Sequence, residues 1–496
     1  MNNSITDFVT DFINRMVNLQ ENFFKDPKSI ENLVYGMSDE LQKMGLNIMK
    51  AILEEVNRAL LKSGYRKSKW YVEKHDHKQL ITSLGTIDFK KTLFCDKETQ
   101  KEMSYLIDRI LGLSEHQRMT VDAVANVLEE TVQTSYRRGG ENINPTDTLS
   151  KNGVKEIVHD LQFPLGYEIP EEKRKVDCLY IDADEDHLSL QFQKKKGDLE
   201  IGKNGKKKNT MIAKLIYVYE DVVPVAPRSK RHKLLNPHYF CRVTSNNEKL
   251  WDEVYKYLED TYDLTKVKKI YINSDGGSWI KAGINRIANA TYVLDGFHLS
   301  KYLLKLTGHM LDSQEDARYE ICKAIKRGTK AEFDEIVSRL LLSAKEKNVK
   351  DRIIDARDYI LNNWMAARMR LKAKNGIIGC SAEGHVSHVL SSRMSSRPMG
   401  WSRKGAGKVV QLREWYYNKQ SMLKLAKYQQ EVNSLPLVAG AEELITSAKD
   451  ILLSERNERS NAEKEYVKYS EAISHQWSLQ TKKQLSFYIN HWLWDF

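Results

Sequence analysis

The sequence predicts a mixed α/β domain that is interrupted by an all-α insertion and flanked by helical regions. Residues 268–280, KKIYINSDGGSWI, hold a β-branched and aromatic run typical of a buried strand, and the run ends at the turn Asp275-Gly276-Gly277. Further strand-like runs lie upstream, within residues 176–226. Residues 299–375 are rich in Lys, Arg, Glu and Leu and have a helical character throughout, so they interrupt the sheet pattern.

Composition favours a globular protein with an anionic partner. The chain has 496 residues, of which 41% are hydrophobic, enough for two to four domains with sizeable cores. Lys and Arg outnumber Asp and Glu by 78 to 67, and the net charge of +11 favours a polyanion over an acidic substrate. A soluble protein with a basic bias explains this charge equally well.

The five cysteines are far apart and form no CxxC pair, which argues against a disulfide framework or a structural zinc site and favours a reducing cytoplasm. No segment approaches the ~20 apolar residues of a membrane span, and the first residues carry acidic side chains and no apolar core of signal length. We therefore expect a protein that is neither secreted nor embedded in a membrane.

The N-terminal part divides into two predicted regions. Residues 1–75 have apolar side chains at helical spacing and carry no visible chemistry. Residues 76–165 predict a β-hairpin, a helix from about Val121 to Arg138, and a second helix capped by Asp147 or Ser150. Such a pair suits a DNA-binding helix-turn-helix, with Lys151 and Lys155 near phosphates. Two ordinary core helices fit these residues at least as well.

Residues 172–298 are the predicted first part of the catalytic core. Residues 176–190 are expected to form a strand, a tight acidic turn and a second strand, and residues 211–226 a third strand. An amphipathic helix at 251–262 precedes the strand at 270–272, and a helix near Ile280 to Ala288 follows it. A last strand, Thr291 to Leu294, ends in Asp295-Gly296-Phe297-His298.

The all-α insertion is assigned to residues 299–376, the final helix of the core to 377–408, and a helical C-terminal region to 409–496. Ser381 can cap the final core helix, which would put Glu383 in its first turn.

Three acidic sites stand at element ends of this predicted domain: the segment 182–187 (DADEDH), Asp275 and Glu383. Magnesium prefers hard oxygen ligands and takes one or two protein carboxylates per ion. Two such ions ~3.5–4 Å apart can activate an attacking oxygen and stabilise a leaving one. Converging carboxylates would therefore imply a metal, although three unrelated surface acids are an equally simple interpretation.

Four segments make a more specific case: YIDADEDHLSLQ, YINSDGGSWIKAG, LDGFHLSKYL and CSAEGHVSHVLSSRMSSRPMGWS. They closely resemble the ISLre group of bacterial insertion-sequence DDE transposases, and the resemblance covers most of the chain. It implies a ribonuclease H-like mixed sheet with a helical insertion before the last carboxylate. It also implies magnesium-dependent DNA strand cleavage and joining.

Under this resemblance Asp275 is the second metal-binding catalytic carboxylate and Glu383 the third. The first is Asp184, with Asp182 as the alternative because residues two apart on a strand face the same way. The resemblance implies two Mg²⁺ ions, for which Mn²⁺ would substitute.

The same resemblance suggests DNA contacts. His298 would touch a phosphate or brace its loop. Arg393 and Arg397 would lie along phosphates, which a guanidinium can bind bidentately. A solvated helix face is the alternative for these two arginines.

The sequence thus predicts a DNA transposase that acts on double-stranded terminal inverted repeats and target DNA, as a homo-oligomer on DNA. It would work in the bacterial cytoplasm and be associated with the nucleoid when bound. A metal-dependent nuclease without joining, and an inactive DNA-binding repressor, are the alternatives.

Overall fold

The computed structural model describes residues 2–114, 116–192, 195–201, 205–373, 381–397, 399–433, 442–443, 445–454 and 457. The chain forms two compact units, one of Met1–Ala123, Ile143–Thr148 and Gln429–Phe496, the other of Val124–Asn142 and Leu149–Tyr428. Within the described residues, no helix combines the length and apolar character that crossing a membrane requires. The roles predicted for the regions of the chain stay predictions, because the division into two compact units does not assign a role to either.

The first unit combines a helical hairpin with a β-hairpin. Its elements are α1 (Asn2–Lys25), α2 (Ile30–Lys62), α3 (Gly64–Lys69), β1 (Trp70–Thr82), β2 (Gly85–Asp96), β3 (Met103–Ser104) and α4 (Leu106–Ile110). Antiparallel β1 and β2 confirm the predicted hairpin. Leu60, Phe89, Phe94 and Leu106 are fully buried in its core, so α2 and α4 are held on the hairpin by apolar packing.

The second unit is built on a five-stranded mixed sheet. Its strands, with those of two small ribbons, are β4 (Cys178–Ser189), β5 (Glu200–Ile201), β6 (Lys207–Lys208), β7 (Thr210–Tyr219), β8 (Asp221–Pro224), β9 (His232–Leu235), β10 (His238–Arg242), β11 (Lys269–Ser274) and β12 (Ala290–Leu294). The sheet order is β10-β7-β4-β11-β12. The first three strands are antiparallel neighbours, whereas β4, β11 and β12 run parallel.

The sheet departs from the sequence prediction in its antiparallel half. The strand–turn–strand predicted at 176–190 is wrong, since β4 is one continuous strand. Pairing with β7 from Tyr180 to Ser189 satisfies its backbone groups and leaves no turn. The third antiparallel strand is β10, a five-residue run that we did not predict, and the predicted strand at 211–226 splits into β7 and β8.

The remaining helices pack on this sheet, form the insertion or pack on one another. They are α5 (Val121–Thr131), α6 (Tyr136–Glu141), α7 (Lys151–Asp160), α8 (Asn247–Thr261), α9 (Ser278–Lys281), α10 (Gly296–Thr307), α11 (Gln314–Arg327), α12 (Lys330–Ser343), α13 (Lys347–Asn362), α14 (Trp364–Lys372), α15 (Ala382–Val386), α16 (Ser392–Met394), α17 (Arg403–Tyr417) and α18 (Met422–Asn433). Trp251, Val254 and Leu258 of α8 pack on one face of the sheet. Helices α10 to α14 share a separate apolar core, which confirms a helical insertion.

Two predicted helices are shorter than expected. The helix predicted from Val121 to Arg138 is divided into α5 and α6, because Ser135 begins a new helix by accepting a hydrogen bond from the backbone N–H of Arg138. The helix predicted near Ile280 to Ala288 is the single turn α9 followed by a 3₁₀ turn at Ala282–Asn285.

Candidate metal-binding carboxylates and DNA-contact surface

Asp184 on β4 and Asp275 just after β11 lie near each other, where these two strands run parallel as neighbours. Asn273 of β11 and Asp182 of β4 are the last pair of this parallel ladder, and Asp275 follows one residue after β11 ends. Asn273 Nδ2 donates to Asp182 Oδ1 over 2.8 Å, which shows that the two strands present these positions on the same face. The charge of Asp275 acts on Asp184, so the two carboxylates are near each other.

The loop after β11 fixes the direction of Asp275. Its carboxylate accepts a 3.0 Å hydrogen bond from Gly277 N, and its carbonyl accepts one from the hydroxyl of Tyr359 on α13. Gly276 has φ +109°, and an added Cβ would lie 2.9 Å from Nδ2 of Asn363. The loop therefore needs glycine, and the helical insertion braces it.

Burial raises the pKa of Asp184 to about 6, and repulsion from the Asp275 carboxylate adds to this effect. The backbone N–H of Glu185, which donates to Asp184 over 2.8 Å, and the nearby His298 act in the opposite direction. The folded chain thus holds two carboxylates together at an electrostatic cost that a cation would offset.

Asp295 and His298 form an acid–base pair near the carboxylates of Asp184 and Asp275. Asp295 N donates to the carbonyl of Ser274 over 2.8 Å, which ties the end of β12 to the end of β11. The Asp295 carboxylate caps α10 through His298 N and lies 3.0 Å from His298 Nδ1. This hydrogen bond raises the pKa of His298, and Asp275 and Asp184 raise it further.

Glu383 is exposed in the first turn of α15, as predicted, on a helix that begins beside β4. Asp182 Oδ2 accepts a 3.1 Å hydrogen bond from Ser381 N, immediately before that helix. Ser395 Oγ donates over 2.7 Å to Asp186 on the same strand. The segment from 381 to 395 therefore runs along β4, anchored on either side of the position of Asp184.

This segment contains a π-helical turn, Ser387–Ser391, between α15 and α16. The carbonyl of His388 accepts hydrogen bonds from Arg413 Nη2 at 2.6 Å and from Tyr417 Oη at 2.8 Å. Arg413 is fully buried and also donates to the carbonyl of Val132 over 2.6 Å. Backbone groups released by the π turn are thus satisfied by α17.

The metal fit rests on the two neighbouring carboxylates. Among the described residues, no three His, Cys, Asp or Glu side chains are grouped closely enough to hold an ion, so Glu383 does not complete a three-ligand set here. Asp184 and Asp275 alone match the one or two carboxylates that Mg²⁺ takes when waters and phosphates supply its other ligands.

The predicted DNA contacts fall into three environments. Lys151 and Lys155 are exposed on α7, whose N-terminus is capped by Ser150 rather than Asp147. Arg397 is exposed, whereas Arg393 is buried, with Nε donating to the carbonyl of Thr131 over 3.4 Å and its guanidinium over the ring of Trp401. The burial of Arg393 does not fit a phosphate contact; it fits a side chain that ties segments together.

A basic cleft of about 510 Å³ lies between α6 and α7. Its lining residues are Ser135, Tyr136, Arg137, Lys151, Asn152 and Lys155. Its three cationic side chains and open shape suit a polyanion rather than an apolar ligand.

Two further acids belong to this arrangement without standing out in the sequence. Asp295 looks like a turn residue there, although an Asp between a strand and a helical run is a capping signal. Asp182 was considered only as an alternative to Asp184, and its full burial could not be inferred from alternation.

A family model described as "Uncharacterised protein family (UPF0236)" matches residues 23–430. A UPF0236 protein of Caldanaerobacter subterraneus subsp. tengcongensis is 35% identical over 408 residues, 82% of each chain, and its name combines eleven locus designations. A second protein of that organism, with four designations, is 34% identical over 82% of each chain. Among solved structures, the Drosophila P element transposase strand transfer complex aligns with 65% of this chain and 83% of its own at 10% identity. Its TM-score of 0.21 is too low to indicate a common fold.

Proposed function

The chain belongs to the uncharacterised protein family UPF0236, and within this family we propose that it is a DNA transposase of the DDE type. It would bind the ends of its element and carry out metal-dependent strand cleavage and strand transfer. The observation that carries the proposal is that Asp184 of β4 and Asp275, just after the parallel strand β11, lie near each other, with the Glu383 helix anchored along β4.

A ribonuclease H-like core is the finer proposal for the fold. It is supported by three antiparallel strands, a helix, and two further strands parallel to the first. The helical insertion between β12 and Glu383 also agrees with it, because Tyr359 of this insertion contacts the Asp275 loop.

Asp184 and Asp275 would hold Mg²⁺, and Glu383 would complete the ligand set once DNA is bound. When bound, the ions would supply activation of the attacking oxygen and stabilisation of the leaving oxygen. The attacking group would be water in cleavage and a DNA 3′-hydroxyl in joining.

Positive charge from the protein would hold the DNA at this site. His298, whose pKa is raised by its hydrogen bond to Asp295, would face phosphate near the carboxylates. Lys151 and Lys155 would contact phosphates of the end sequence, and Arg397 those near the final core helix. Arg393 would hold the α5 end and Trp401 together instead.

The relatives add independent support. Names that combine eleven and four locus designations of one genome describe genes present in many copies. Transposition can multiply the gene that encodes the protein within a genome. The activity of a nuclease or of a repressor does not multiply its own gene. We further propose that it acts as a homo-oligomer on DNA in the bacterial cytoplasm.

The test uses the full chain and the two genomic segments that flank its coding sequence as DNA. Wild type, Asp275→Asn and Asp177→Asn are compared by gel shift and by a strand-transfer assay with Mg²⁺. Asp177 is an exposed acid just before β4, at the far end from the paired carboxylates, and serves as the matched control.

We expect all three proteins to shift the flanking DNA and only Asp275→Asn to lose transfer. Transfer by Asp275→Asn at the wild-type rate would overturn the proposal. Cut DNA that is never joined would identify a nuclease, and binding without cutting by wild type would identify a repressor.

A further inference from the structure

Asp182, on the central strand β4, accepts more hydrogen bonds than Asp184 or Asp186 on the same strand, although its side chain has no access to water. Its side chain is 0% exposed. Tyr217 Oη donates to Oδ2 over 2.7 Å, and Tyr219 Oη donates to Oδ1 over 3.3 Å. Asn273 Nδ2 donates to Oδ1 over 2.8 Å, and Ser381 N donates to Oδ2 over 3.1 Å. The four donors come from β7, β11 and the start of α15.

Two of these donors can act only as donors. The amide Nδ2 of Asn273 and the backbone N–H of Ser381 have no lone pair to offer, while the tyrosine hydroxyls can rotate and either donate or accept. The two obligate donors point at different oxygens of Asp182. Only a side chain with two acceptor oxygens satisfies both, so an amide at this position leaves one donor unpaired.

We infer that Asp182 is a positioning residue. It docks the helix of Glu383 onto the strand of Asp184 and thereby sets the distance between these two carboxylates. Ser381 lies two residues before Glu383, and Asp182 two residues before Asp184, so this hydrogen bond joins the two carriers close to both carboxylates. The inference rests on the proposed function for its role in strand transfer, but the docking itself does not.

The docking is tested with three full-length proteins: wild type, Asp182→Asn, and the double variant Asp182→Asn with Asn273→Asp. In the single variant one obligate donor loses its acceptor. In the exchanged pair the amide of residue 182 can donate to the new carboxylate at 273 and still accept from Ser381 N, so both contacts are restored. The double variant contains the same carboxylate and the same amide, exchanged between positions 182 and 273. It is therefore a matched control for polarity and side-chain volume.

The readout is amide hydrogen exchange of peptides covering 381–386, compared with peptides covering β4 and β7. We expect Asp182→Asn to exchange roughly 10- to 100-fold faster in 381–386, as for loss of one buried hydrogen bond. The sheet peptides should be unchanged, and the double variant should regain protection. Unchanged exchange in 381–386 would overturn the inference, as would equal loss across the sheet, because Asp182 would then be a general core residue.

Strand transfer on the flanking DNA is measured on the same preparations. We expect the single variant to lose transfer while still shifting DNA, and the double variant to recover it. If wild type performs no transfer, the proposed function fails while the exchange result still decides the docking. If docking is lost but transfer persists at the wild-type rate, Asp182 does not position Glu383 for the reaction and the inference is overturned.

Discussion

Replacing Asp184 by asparagine should stabilise the metal-free protein while removing its proposed chemistry. Burial and the neighbouring Asp275 raise the pKa of Asp184 to about 6, from an ordinary value of 3.8. The folded state therefore disfavours the carboxylate, and the penalty is present above the folded pKa and disappears as the pH falls and the group is protonated. This difference in pKa corresponds to about 3 kcal/mol at pH 7 and about 1 kcal/mol at pH 4.5.

Thermal unfolding in EDTA at these two pH values measures the effect. Asp184→Asn should unfold at a higher temperature than wild type at pH 7, and the difference should shrink by more than half at pH 4.5. Asp186→Asn is the matched control, because Asp186 is the next acid on the same face of β4 and accepts a hydrogen bond from Ser395 that an amide can also accept. A variant that is no more stable than wild type at pH 7 would refute the reasoning.

Adding Mg²⁺ extends this test. A cation that binds only the folded protein stabilises it by mass action. We expect Mg²⁺ to raise the unfolding temperature of wild type and of Asp186→Asn, and to have little effect on Asp184→Asn. An equal rise in all three proteins would show that the ion binds elsewhere.

Glu383→Gln should keep DNA binding and lose strand transfer, since the exposed side chain contributes charge rather than packing; gel shift and transfer on one preparation measure this, and normal transfer would remove Glu383 from the site. Lys151→Ala should lower the slope of log affinity against log salt by about 0.9, and an unchanged slope would exclude a phosphate contact. Asp295→Asn should lower the pKa of His298, so that the imidazole loses its proton at lower pH in an NMR titration; an unchanged midpoint would contradict the pairing. Gly276→Ala should lower the unfolding temperature, because the loop has φ +109° and an added Cβ would lie 2.9 Å from Asn363 Nδ2; an unchanged temperature would contradict this strain.

The parts of the fold that follow from local pattern were predictable from the sequence. The run at 270–272 ends in Asp275-Gly276-Gly277, and both its β-character and its turn chemistry are local properties. The strand at 291–294 and the helical insertion were confirmed for the same reason. Ser381 precedes the Glu383 helix as expected, although its hydroxyl pairs with Tyr217 rather than capping the helix.

The remaining features depend on contacts between distant residues. The acid-rich segment 182–186 looks like a turn because carboxylates are depleted in strands, yet pairing with β7 keeps it extended. The burial of Arg393 depends on its contact with α5, which lies far away in sequence, so the resemblance that suggested a DNA contact for this arginine could not reveal it. The pairing of β4 with β11, which brings Asp275 near Asp184, is likewise a property of the assembled sheet.

The π-helical turn gives the segment that carries Glu383 one more residue than an α-helix would place between the same two anchors. A π turn closes i→i+5 hydrogen bonds where an α turn closes i→i+4. Both ends of the segment are held on β4, through Ser381 and through Ser395, so a change in its length has to be absorbed between them. Deleting one residue would convert the π turn into an α turn and would move the carbonyl of His388 away from Arg413 and Tyr417. The number of residues between the two anchors therefore decides whether a relative can keep this contact with α17.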